Sequence, residues 1–276
     1  MIAKMGSNKM RYRKYVVFDS ARYGIISPRE SYMLIALDEN GDRIIARKAD
    51  KKCKYFCQEC GEVLFLRNGE IRRPHFAHKK ESNCPAAHCN KTEWHYEWQE
   101  AFGLEYAERV IEAGGFKHIA DVLMGDTVIE FQHSRISRED VIERNTFYRY
   151  HGLNTIWIFD CRKNCEEKLI FPYEERNGYN WLFEWYRPKK EVIAAGNDAI
   201  VFLQVSDNCL LEITWRPEGY DDRGERYWVS LKKFAANIMD KKHAIEKIKK
   251  SANLNAEPRL VTDPSMLDEL IDMAQL

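Results

Sequence analysis

The sharpest alternation of apolar and polar positions lies in residues 118–134, where two short apolar runs flank Gly125-Asp126. A dipeptide of this kind between apolar runs is typical of a tight β-turn, so the stretch is predicted to form a β-hairpin. Strand side chains alternate between faces, and an even-numbered loop centred on this dipeptide sets Asp121 directly opposite Glu130. Directly opposed residues have Cβ atoms about 4.5–5.5 Å apart. The hairpin therefore predicts two carboxylates that face each other.

Two opposed carboxylates repel each other unless a positive charge lies between them, and a divalent cation is the natural candidate. Mg²⁺ is commonly held by one or two carboxylates, with water and substrate phosphates as its other ligands. Gln132 lies two residues beyond Glu130 on the same face, opposite Ile119, so its amide reaches the same space. The pattern D-x8-E-x-Q predicts a metal site on Asp121 and Glu130. The alternative is that these acids form the solvated face of a half-buried sheet.

A helix is predicted before the hairpin, over residues 93–113, with Thr92 at its start and Gly114-Gly115 at its end. The side chains expected to face the core are Trp94, Trp98, Ala101 and Phe102. Acids on such a helix usually face solvent, but Glu97 or the neighbouring His95 could point at the hairpin instead.

A second helix and a buried strand are predicted after the hairpin. Ser137-Arg-Glu-Asp140 has the form of a capping box and starts a helix that runs to about residue 151. On this helix Arg144 and Tyr148 lie four residues apart and share a face. The continuous apolar run at residues 155–159 predicts a strand buried on both faces, parallel to a hairpin strand through a right-handed crossover. The order helix, hairpin, helix, buried strand predicts an α/β core.

The remaining segments give weaker patterns. Residues 12–50 predict a β-meander from the runs Tyr15-Val-Val-Phe18, Tyr32-Met-Leu-Ile-Ala-Leu37 and Arg43-Ile-Ile-Ala46 and the turn Glu39-Asn-Gly-Asp42. Towards the C-terminus, strands are predicted at residues 199–203 and 210–214, and a basic amphipathic helix at residues 232–250. The last twenty residues predict a short acidic helix or tail, and core packing is expected for Trp181, Trp185 and Trp215.

Composition bounds the class of protein. The chain has 276 residues, of which 45% are hydrophobic and 31% charged, and this suits one large or two to three small globular domains. No apolar run approaches the length of a membrane span, and no basic segment leads into a signal-like apolar run. A cytoplasmic protein without membrane contact is expected.

The charge balance limits how the chain could bind nucleic acid. Lys+Arg and Asp+Glu both number 43, so binding would need a local basic patch. One candidate patch comprises Arg67, Arg72, Arg73, Lys79 and Lys80. The other comprises Lys241, Lys242, Lys247, Lys249 and Lys250. The alternative at both places is an ordinary solvated basic face.

The cysteines are clustered in a way that favours metal binding. Five of the eight fall between residues 53 and 89, alongside histidines. The predicted ligands are Cys57, Cys60, His78 and Cys84. Gly61 allows the tight turn after the C-x2-C pair, and a Cys₃His set is typical of a closed structural Zn²⁺ site. The competing ligands are His75, Cys53 and Cys89, and the alternative to zinc is a group of ordinary buried cysteines.

Taken together, these motifs resemble the CoiA-like competence protein family, whose members carry a cysteine-rich N-terminal segment ahead of a PD-(D/E)xK nuclease core. The resemblance spans about residues 40–160 and is specific as an ordered set. It rests on Tyr55-Phe-Cys-x2-Cys-Gly61, Pro74-His-Phe-Ala-His78, Thr92-Glu-Trp-His95, Ala120-Asp121, Ile129-Glu-Phe-Gln-His-Ser134, Glu143-Arg144 with Tyr148, and Ile156-Trp-Ile158.

The resemblance implies a restriction-endonuclease-like core that cleaves phosphodiester bonds with a divalent metal and handles incoming DNA. By position, Asp121 and Glu130 match the metal carboxylates, and Gln132 stands in the place of the lysine of the general pattern. A lysine helps to position and activate water, whereas an amide orients water without adding positive charge. His95 matches the helix histidine of the family, and Gln99 stands where a lysine is expected.

The sequence patterns and the resemblance together predict three parts of the chain. Residues 1–89 form the β-meander with the zinc-binding module, residues 90–190 form the PD-(D/E)xK nuclease-like core, and residues 191–276 form a C-terminal β/α extension.

The resulting hypothesis is a Mg²⁺- or Mn²⁺-dependent DNA nuclease that acts in DNA uptake, recombination or the processing of foreign DNA. Asp121 and Glu130 hold the cation, Gln132 orients the water, and His95 or Glu97 assists from the helix. DNA is the expected partner; recombination or DNA-processing proteins and a homodimer are compatible with this role. The alternatives are a DNA-binding module of the same fold that does not cleave, and a protein-interaction scaffold.

Overall fold

The computed structural model describes most of the chain between residues 33 and 256. The described residues are 33–70, 73–79, 82, 84, 91–113, 116–176, 180–186, 188–196, 198–215 and 231–256. The predicted strand at residues 15–18 and the predicted acidic segment at the C-terminus lie outside them. Within the described residues the fold is mixed α/β with two sheets.

The smaller sheet is built from residues 35–77. Its strands are β1 (Ile35–Leu37), β2 (Arg43–Ile45), β3 (Tyr55–Phe56), β4 (Val63–Arg67) and β5 (His75–Ala77), in the order β2-β1-β3-β4-β5. The predicted turn at residues 39–42 joins β1 to β2 and contains Gly41 with a φ of 83°. The hairpin predicted in this part of the meander is confirmed.

The larger sheet has nine strands in the order β10-β11-β14-β13-β12-β9-β8-β7-β6. These strands are β6 (Ala107–Ala113), β7 (Phe116–Met124), β8 (Thr127–Gln132), β9 (Asn154–Asp160), β10 (Ile170–Arg176), β11 (Asn180–Tyr186), β12 (Ile200–Ser206), β13 (Cys209–Trp215) and β14 (Leu231–Asp240). The interior strand β9 pairs in parallel with both β8 and β12.

Five α-helices accompany the sheets in the described part of the chain. They are α1 (Glu93–Phe102), α2 (Arg138–Tyr150), α3 (Arg162–Glu166), α4 (Lys190–Ala195) and α5 (Lys241–Ser251). None of the helices among these residues is long and apolar enough to cross a membrane.

The strand β9 is buried on both faces, as the run at residues 155–159 predicts. Its residues Trp157 and Phe159 belong to a core cluster with Val141 of α2 and Val192 of α4. The alternate residues Ile156 and Ile158 belong to a second cluster. That cluster also contains Trp94, Trp98 and Phe102 of α1 and Ala244 and Ile248 of α5. The sheet is therefore covered by α2 and α4 on one face and by α1 and α5 on the other.

The hairpin and the second helix form as predicted. Strands β7 and β8 pair with Leu123 opposite Val128, which is the register of an even-numbered loop at Gly125-Asp126. The helix α2 begins after Ser137, whose hydroxyl accepts a hydrogen bond from the Asp140 N–H at 2.9 Å. This cap satisfies one of the donors that every helix N-terminus leaves unpaired.

The helix predicted over residues 93–113 is wrong beyond Phe102. Gly103 ends α1 with a φ of 116°, and its N–H donates to the Gln99 carbonyl at 3.0 Å. The residues that follow form the edge strand β6, which pairs antiparallel with β7. A single internal glycine at positive φ is a helix-ending signal, and the β-branched pair Val110 and Ile111 favours a strand.

The helix predicted over residues 232–250 is half wrong, because its first part is the strand β14. Phe234 and Ala236 are buried while Ala235 and Asn237 are less so, which is the period of two that a strand requires. β14 lies between β11 and β13, and α5 begins only at its end. The strands predicted at residues 199–203 and 210–214 are confirmed as β12 and β13. Both strands lie in the same sheet as the predicted core, so this sheet continues past the predicted domain boundary at residue 190. That boundary stays a prediction.

The smaller sheet docks against α1 and β6. Leu34 and Ile35 share a buried cluster with Tyr96, Leu104 and Ala107. The guanidinium of Arg43 donates hydrogen bonds to the carbonyls of Glu105, at 3.2 Å, and Ala107. These contacts place the N-terminal module at the β6 edge of the larger sheet, next to the strands of the hairpin.

The tip of the hairpin makes a close backbone contact that admits only glycine. Gly125 has a φ of 55°, and a Cβ at this position would lie 1.9 Å from the Asn253 carbonyl oxygen. We expect Gly125→Ala to destabilise the protein by about 2–4 kcal/mol, because positive φ and overpacking each cost about 1–3 kcal/mol. Gly41→Ala is the matched control, since Gly41 has a φ of 83° but nothing lies within 4 Å of its Cβ position. Equal losses in urea unfolding for both variants would contradict the backbone contact.

Candidate functional site

The two acids of the hairpin lie where its strands stop pairing. The ladder of β7 and β8 runs from Met124↔Thr127 to Val122↔Ile129. Beyond it, the Phe131 N–H donates to Oδ2 of Asp121 at 3.0 Å instead of to a strand carbonyl. The register places Asp121 opposite Glu130, as the hairpin pattern predicts, at the point where the strands separate.

The carboxylate of Glu130 is held by the second helix. Glu130 is 2% exposed, and its Oε2 accepts a hydrogen bond from Nη1 of Arg144 at 2.8 Å. Its Oε1 accepts a hydrogen bond from the Tyr148 hydroxyl. Arg144 and Tyr148 therefore share a face of α2, as their spacing predicts, and that face meets Glu130.

The carboxylate of Asp121 is held by different groups. Its Oδ1 lies 3.2 Å from Nζ of Lys91, which directly precedes the N-cap of α1. The backbone carbonyl of Asp121 accepts a hydrogen bond from Nε2 of Gln99 at 3.1 Å. The residue that stands in the place of an expected lysine therefore fixes the backbone of the acid rather than its charge.

The two acids differ in their affinity for protons. Burial, opposed by Arg144 and reinforced by the charge of Asp121, raises the pKa of Glu130 to about 7. Burial also pushes the pKa of Asp121 upwards, but Lys91, His95 and the Phe131 N–H outweigh it and hold that pKa below its usual value. Near neutral pH the pair can therefore exchange a proton at Glu130 while Asp121 stays ionised.

A third acid, Glu108, adjoins the pair and is absent from the sequence prediction. It lies on β6 in the register position opposite Asp121, between the pairs Ala107↔Val122 and Arg109↔Ala120. Its Oε1 lies 3.1 Å from Nζ of Lys91. The β-branched pair Val110-Ile111 is the local signal for the strand that carries Glu108, but the apolar positions 107, 110 and 111 also have helical spacing, which led to the helix prediction.

The other predicted site residues differ in whether they lie near the two acids. His95 is buried; its Nδ1 accepts a hydrogen bond from the Thr92 N–H at 3.2 Å, and burial lowers its pKa to about 4. Gln132 donates from Nε2 to the Ser134 carbonyl at 2.7 Å. Glu97 is exposed and does not line the cavity at the acids. The structure thus brings Asp121, Glu130, Gln132 and His95 together but leaves Glu97 outside.

The acids open into a cavity of about 510 Å³. Its walls carry cationic side chains beside the carboxylates, namely Lys91, Lys117, Arg135 and Arg144. Met33, Gln58 and Glu59 of the N-terminal module form part of the same wall. The lining also contains the acids Glu108 and Asp140, so the cavity combines cationic groups, which attract phosphate, with carboxylates, which are common ligands of hard cations.

The four predicted cysteine and histidine ligands form one cluster. The donor atoms of Cys57, Cys60, His78 and Cys84 all lie within 4.8 Å of one another. Sγ of Cys57 and Sγ of Cys84 are 3.9 Å apart, and Sγ of Cys60 and Nε2 of His78 are 3.5 Å apart. Tetrahedral zinc bonds of about 2.3 Å to sulfur and about 2.0–2.1 Å to nitrogen imply edges of about 3.8 Å and 3.6 Å. The cluster can therefore hold a structural metal such as zinc.

The competing ligands do not join this cluster. His75 lies on β5 with Nδ1 2.9 Å from the Arg73 carbonyl, and Cys53 is exposed. Cys89 lies outside the described residues. Among the described residues no other group of His, Cys, Asp and Glu has this geometry.

Some members of the two predicted basic patches are engaged within the protein, whereas Arg67, Lys79, Lys242 and Lys250 are exposed. Arg73 pairs with Glu93 and, at 3.2 Å, with Glu100 of α1, which ties the N-terminal module to that helix. In α5, Lys247 pairs with Glu212, and Lys249 donates to the Ala101 carbonyl at 2.9 Å. Arg72 and Lys80 lie outside the described residues.

Comparison with protein families gives two matches that follow one another along the chain. The model of the N-terminal domain of the competence protein CoiA matches residues 38–87, and the model of its nuclease-like domain matches residues 93–195. The first match contains all four cluster ligands, and the second contains both hairpin acids. Comparison with curated proteins and with solved structures found no match.

The cysteine cluster gives a direct prediction. Protein purified without added metal is expected to contain about one equivalent of zinc, because four donors at tetrahedral spacing bind it tightly. Cys57→Ser should lose the ion and lower the melting temperature, since Cys57 is buried and metal binding supplies folding energy.

Cys53→Ser is the matched control for this measurement, because Cys53 is exposed and lies outside the cluster. It should keep both the ion and the melting temperature. A stable, metal-free Cys57→Ser protein would show that the cluster holds no structural metal.

Proposed function

Because the chain belongs to the CoiA-like competence protein family, we propose that it is a metal-dependent DNA nuclease with a restriction-endonuclease-like core. The observation that carries this proposal is the pair of buried, facing carboxylates at a cavity whose wall also carries cationic side chains. Its biological setting is the uptake, recombination or processing of foreign DNA, in keeping with the competence family.

Asp121 and Glu130 are suited to a hard divalent cation such as Mg²⁺ or Mn²⁺. Carboxylate oxygens are the ligands such ions prefer, and one or two carboxylates leave room for water and phosphate. When bound, the cation would neutralise the scissile phosphate and lower the pKa of a water molecule. The raised pKa of Glu130 makes this site sensitive to a positive charge, because a cation replaces the proton that burial favours.

The surrounding residues position the acids for hydrolysis. Arg144 and Tyr148 fix Glu130, and the Phe131 N–H fixes Asp121. In the reaction, the oxygen of water bonds to phosphorus while the ester P–O bond breaks. The water gives one proton to solvent and the leaving oxygen takes one up, so the products are a phosphate end and a hydroxyl end.

The metal of the N-terminal cluster is proposed to be zinc with a structural role. Three cysteines and one histidine are a ligand set of structural zinc sites, and four protein ligands leave no open position for water. The ion would stiffen the module that contributes Gln58 and Glu59 to the cavity.

The second candidate function is DNA binding without cleavage. It is favoured by Gln132, which brings no positive charge to the place of the pattern's lysine and whose amide donates to Ser134. The facing pair of carboxylates favours the nuclease, because a hard divalent cation prefers such ligands, whereas negative charge at the site would weaken DNA binding in the absence of a cation.

Cation binding at the acids predicts a metal-dependent melting temperature. Mg²⁺ or Mn²⁺ at 100 times its Kd should stabilise the protein by about 2.7 kcal/mol, which is several degrees for a chain of this size. Asp121→Asn should abolish this shift with the fold intact, because an amide oxygen can still accept the Phe131 N–H. Asp207→Asn serves as the control, since Asp207 is 86% exposed and does not line the cavity that contains the pair. An identical shift in all three proteins would place the cation elsewhere.

Cleavage separates the two candidate functions. Wild-type protein is expected to cut plasmid or single-stranded circles with Mg²⁺ or Mn²⁺ but not with EDTA, and Asp121→Asn should reduce the rate at least about 100-fold. Gln132→Lys should be tolerated and should speed cleavage if the amide orients water. Binding of DNA without cleavage by both wild type and Gln132→Lys would favour the DNA-binding module instead.

A further inference from the structure

At the acidic site, Gln132 stands where the general nuclease pattern has a positively charged lysine, and the nearby Lys91 carries such a charge. Gln132 contributes a neutral amide, and its Nε2 is bonded to the Ser134 carbonyl at 2.7 Å. Across the site, the ammonium of Lys91 lies 3.2 Å from Oδ1 of Asp121. The transition state of phosphodiester cleavage gathers negative charge, so the position of the nearest cation matters for rate.

The ammonium of Lys91 is held in place by two acids from adjacent strands. Besides Asp121, it lies 3.1 Å from Oε1 of Glu108. The side chain of Lys91 is only 14% exposed and lines the same cavity as Asp121, Glu130 and Gln132. A lysine loses much rotamer freedom when it is confined in this way, so its placement needs compensating contacts.

The anchor of Lys91 is itself fixed by the N-terminal module. Oε2 of Glu108 accepts hydrogen bonds from the N–H groups of Leu34 and Ile35, both at 3.1 Å. Glu108 has a φ of 49°, a backbone conformation that residues other than glycine rarely adopt. Strain of this kind persists only where surrounding contacts hold it, so the docked module keeps Glu108 turned towards Lys91.

Arg144 also pairs with an acid of the site, but it is placed for a different task. Its Nη1 donates to Glu130, and a guanidinium keeps its proton at all working pH values. It therefore holds Glu130, while Lys91 lies on the Asp121 side of the cavity. Lys91 also falls between the two family matches, at residues 38–87 and 93–195, so neither match assigns it a role.

We propose that Lys91 supplies the positive charge that Gln132 lacks, and that its ammonium stabilises the charge that develops on the scissile phosphate beside Asp121. This inference rests on the proposed nuclease function and adds one catalytic residue to it. It also makes the docked N-terminal module a requirement for cleavage, because Glu108 transmits the position of β1 to Lys91.

The test compares single-turnover cleavage with cation binding in Lys91→Gln. Glutamine can still donate to Glu108 and Asp121 but has no charge. We expect the cleavage rate to fall about 10²–10³-fold, the loss typical of removing one donor to a developing oxyanion. The stabilisation by Mn²⁺ should be kept or increased, because a positive neighbour that competes with the ion at Asp121 is gone. A purely structural role would lower both quantities together.

Rescue provides the second arm of the experiment. Adding Gln132→Lys to Lys91→Gln should restore a large part of the lost rate, since the charge returns to the same cavity from β8. Lys91→Arg keeps the positive charge and should cleave faster than the glutamine variant. It also keeps the test decisive if Lys91→Gln does not fold. Lys163→Gln is the matched control, because Lys163 is 81% exposed and pairs only with Glu167 along its own helix in the described contacts. Its cleavage rate should equal that of wild type.

The outcomes that overturn the inference are distinct from those that overturn the proposed function. If wild type cleaves and Lys91→Gln cleaves equally fast, Lys91 has no catalytic role and the nuclease assignment stands. If Lys91→Gln loses the Mn²⁺ stabilisation together with cleavage, and Gln132→Lys restores neither, Lys91 is structural. If wild type itself cleaves nothing with either metal, the nuclease function and this inference fail together.

Discussion

The burial of negative charge is the constraint on which the site depends. Asp121, Glu130 and Glu108 are each less than a tenth exposed, and each occupies the same level of three neighbouring strands. Uncompensated, such charges would cost several kcal/mol each. The protein compensates them with Lys91, Arg144, Tyr148 and backbone N–H groups. Two of these groups, Arg144 and Tyr148, come from α2, and Lys91 comes from the segment that directly precedes α1.

This compensation ties parts of the chain that are distant in sequence. Glu108 is satisfied by N–H groups of residues 34 and 35, more than 70 positions away. Arg43 and Arg73 add further contacts from the N-terminal module to β6 and α1. The module is therefore part of the wall of the acidic cavity rather than a separate appendage. A metal that stiffens the module would also steady the acids, because β1, which helps to hold Glu108, pairs with β3 directly before Cys57.

The cysteine–histidine cluster and the proposed cation site at the acids differ in the chemistry of their donors. Thiols and an imidazole, spaced for a tetrahedron, suit a closed site whose ion holds loops together. Carboxylates at an open cavity suit a hard cation that keeps water and phosphate as further ligands. The spacing of cysteines is readable in the sequence because C-x2-C fixes two donors locally. The spacing already selected His78 over His75 and Cys84 over Cys53, and in the folded structure the four selected donors lie together.

The sequence alone determined the features that short-range chemistry controls. Gly125-Asp126 fixed the loop length and hence the register of Asp121 and Glu130, and Ser137 fixed the start of α2. Only the tertiary structure decided that residues 107–113 and 231–240 are strands, because both segments also carry helical periodicity and become strands by pairing with β7, β11 and β13. It likewise decided that Lys91 and Glu108 belong to the acidic site. Their partners come from separate segments, and no local pattern records which distant charges a fold will bring together.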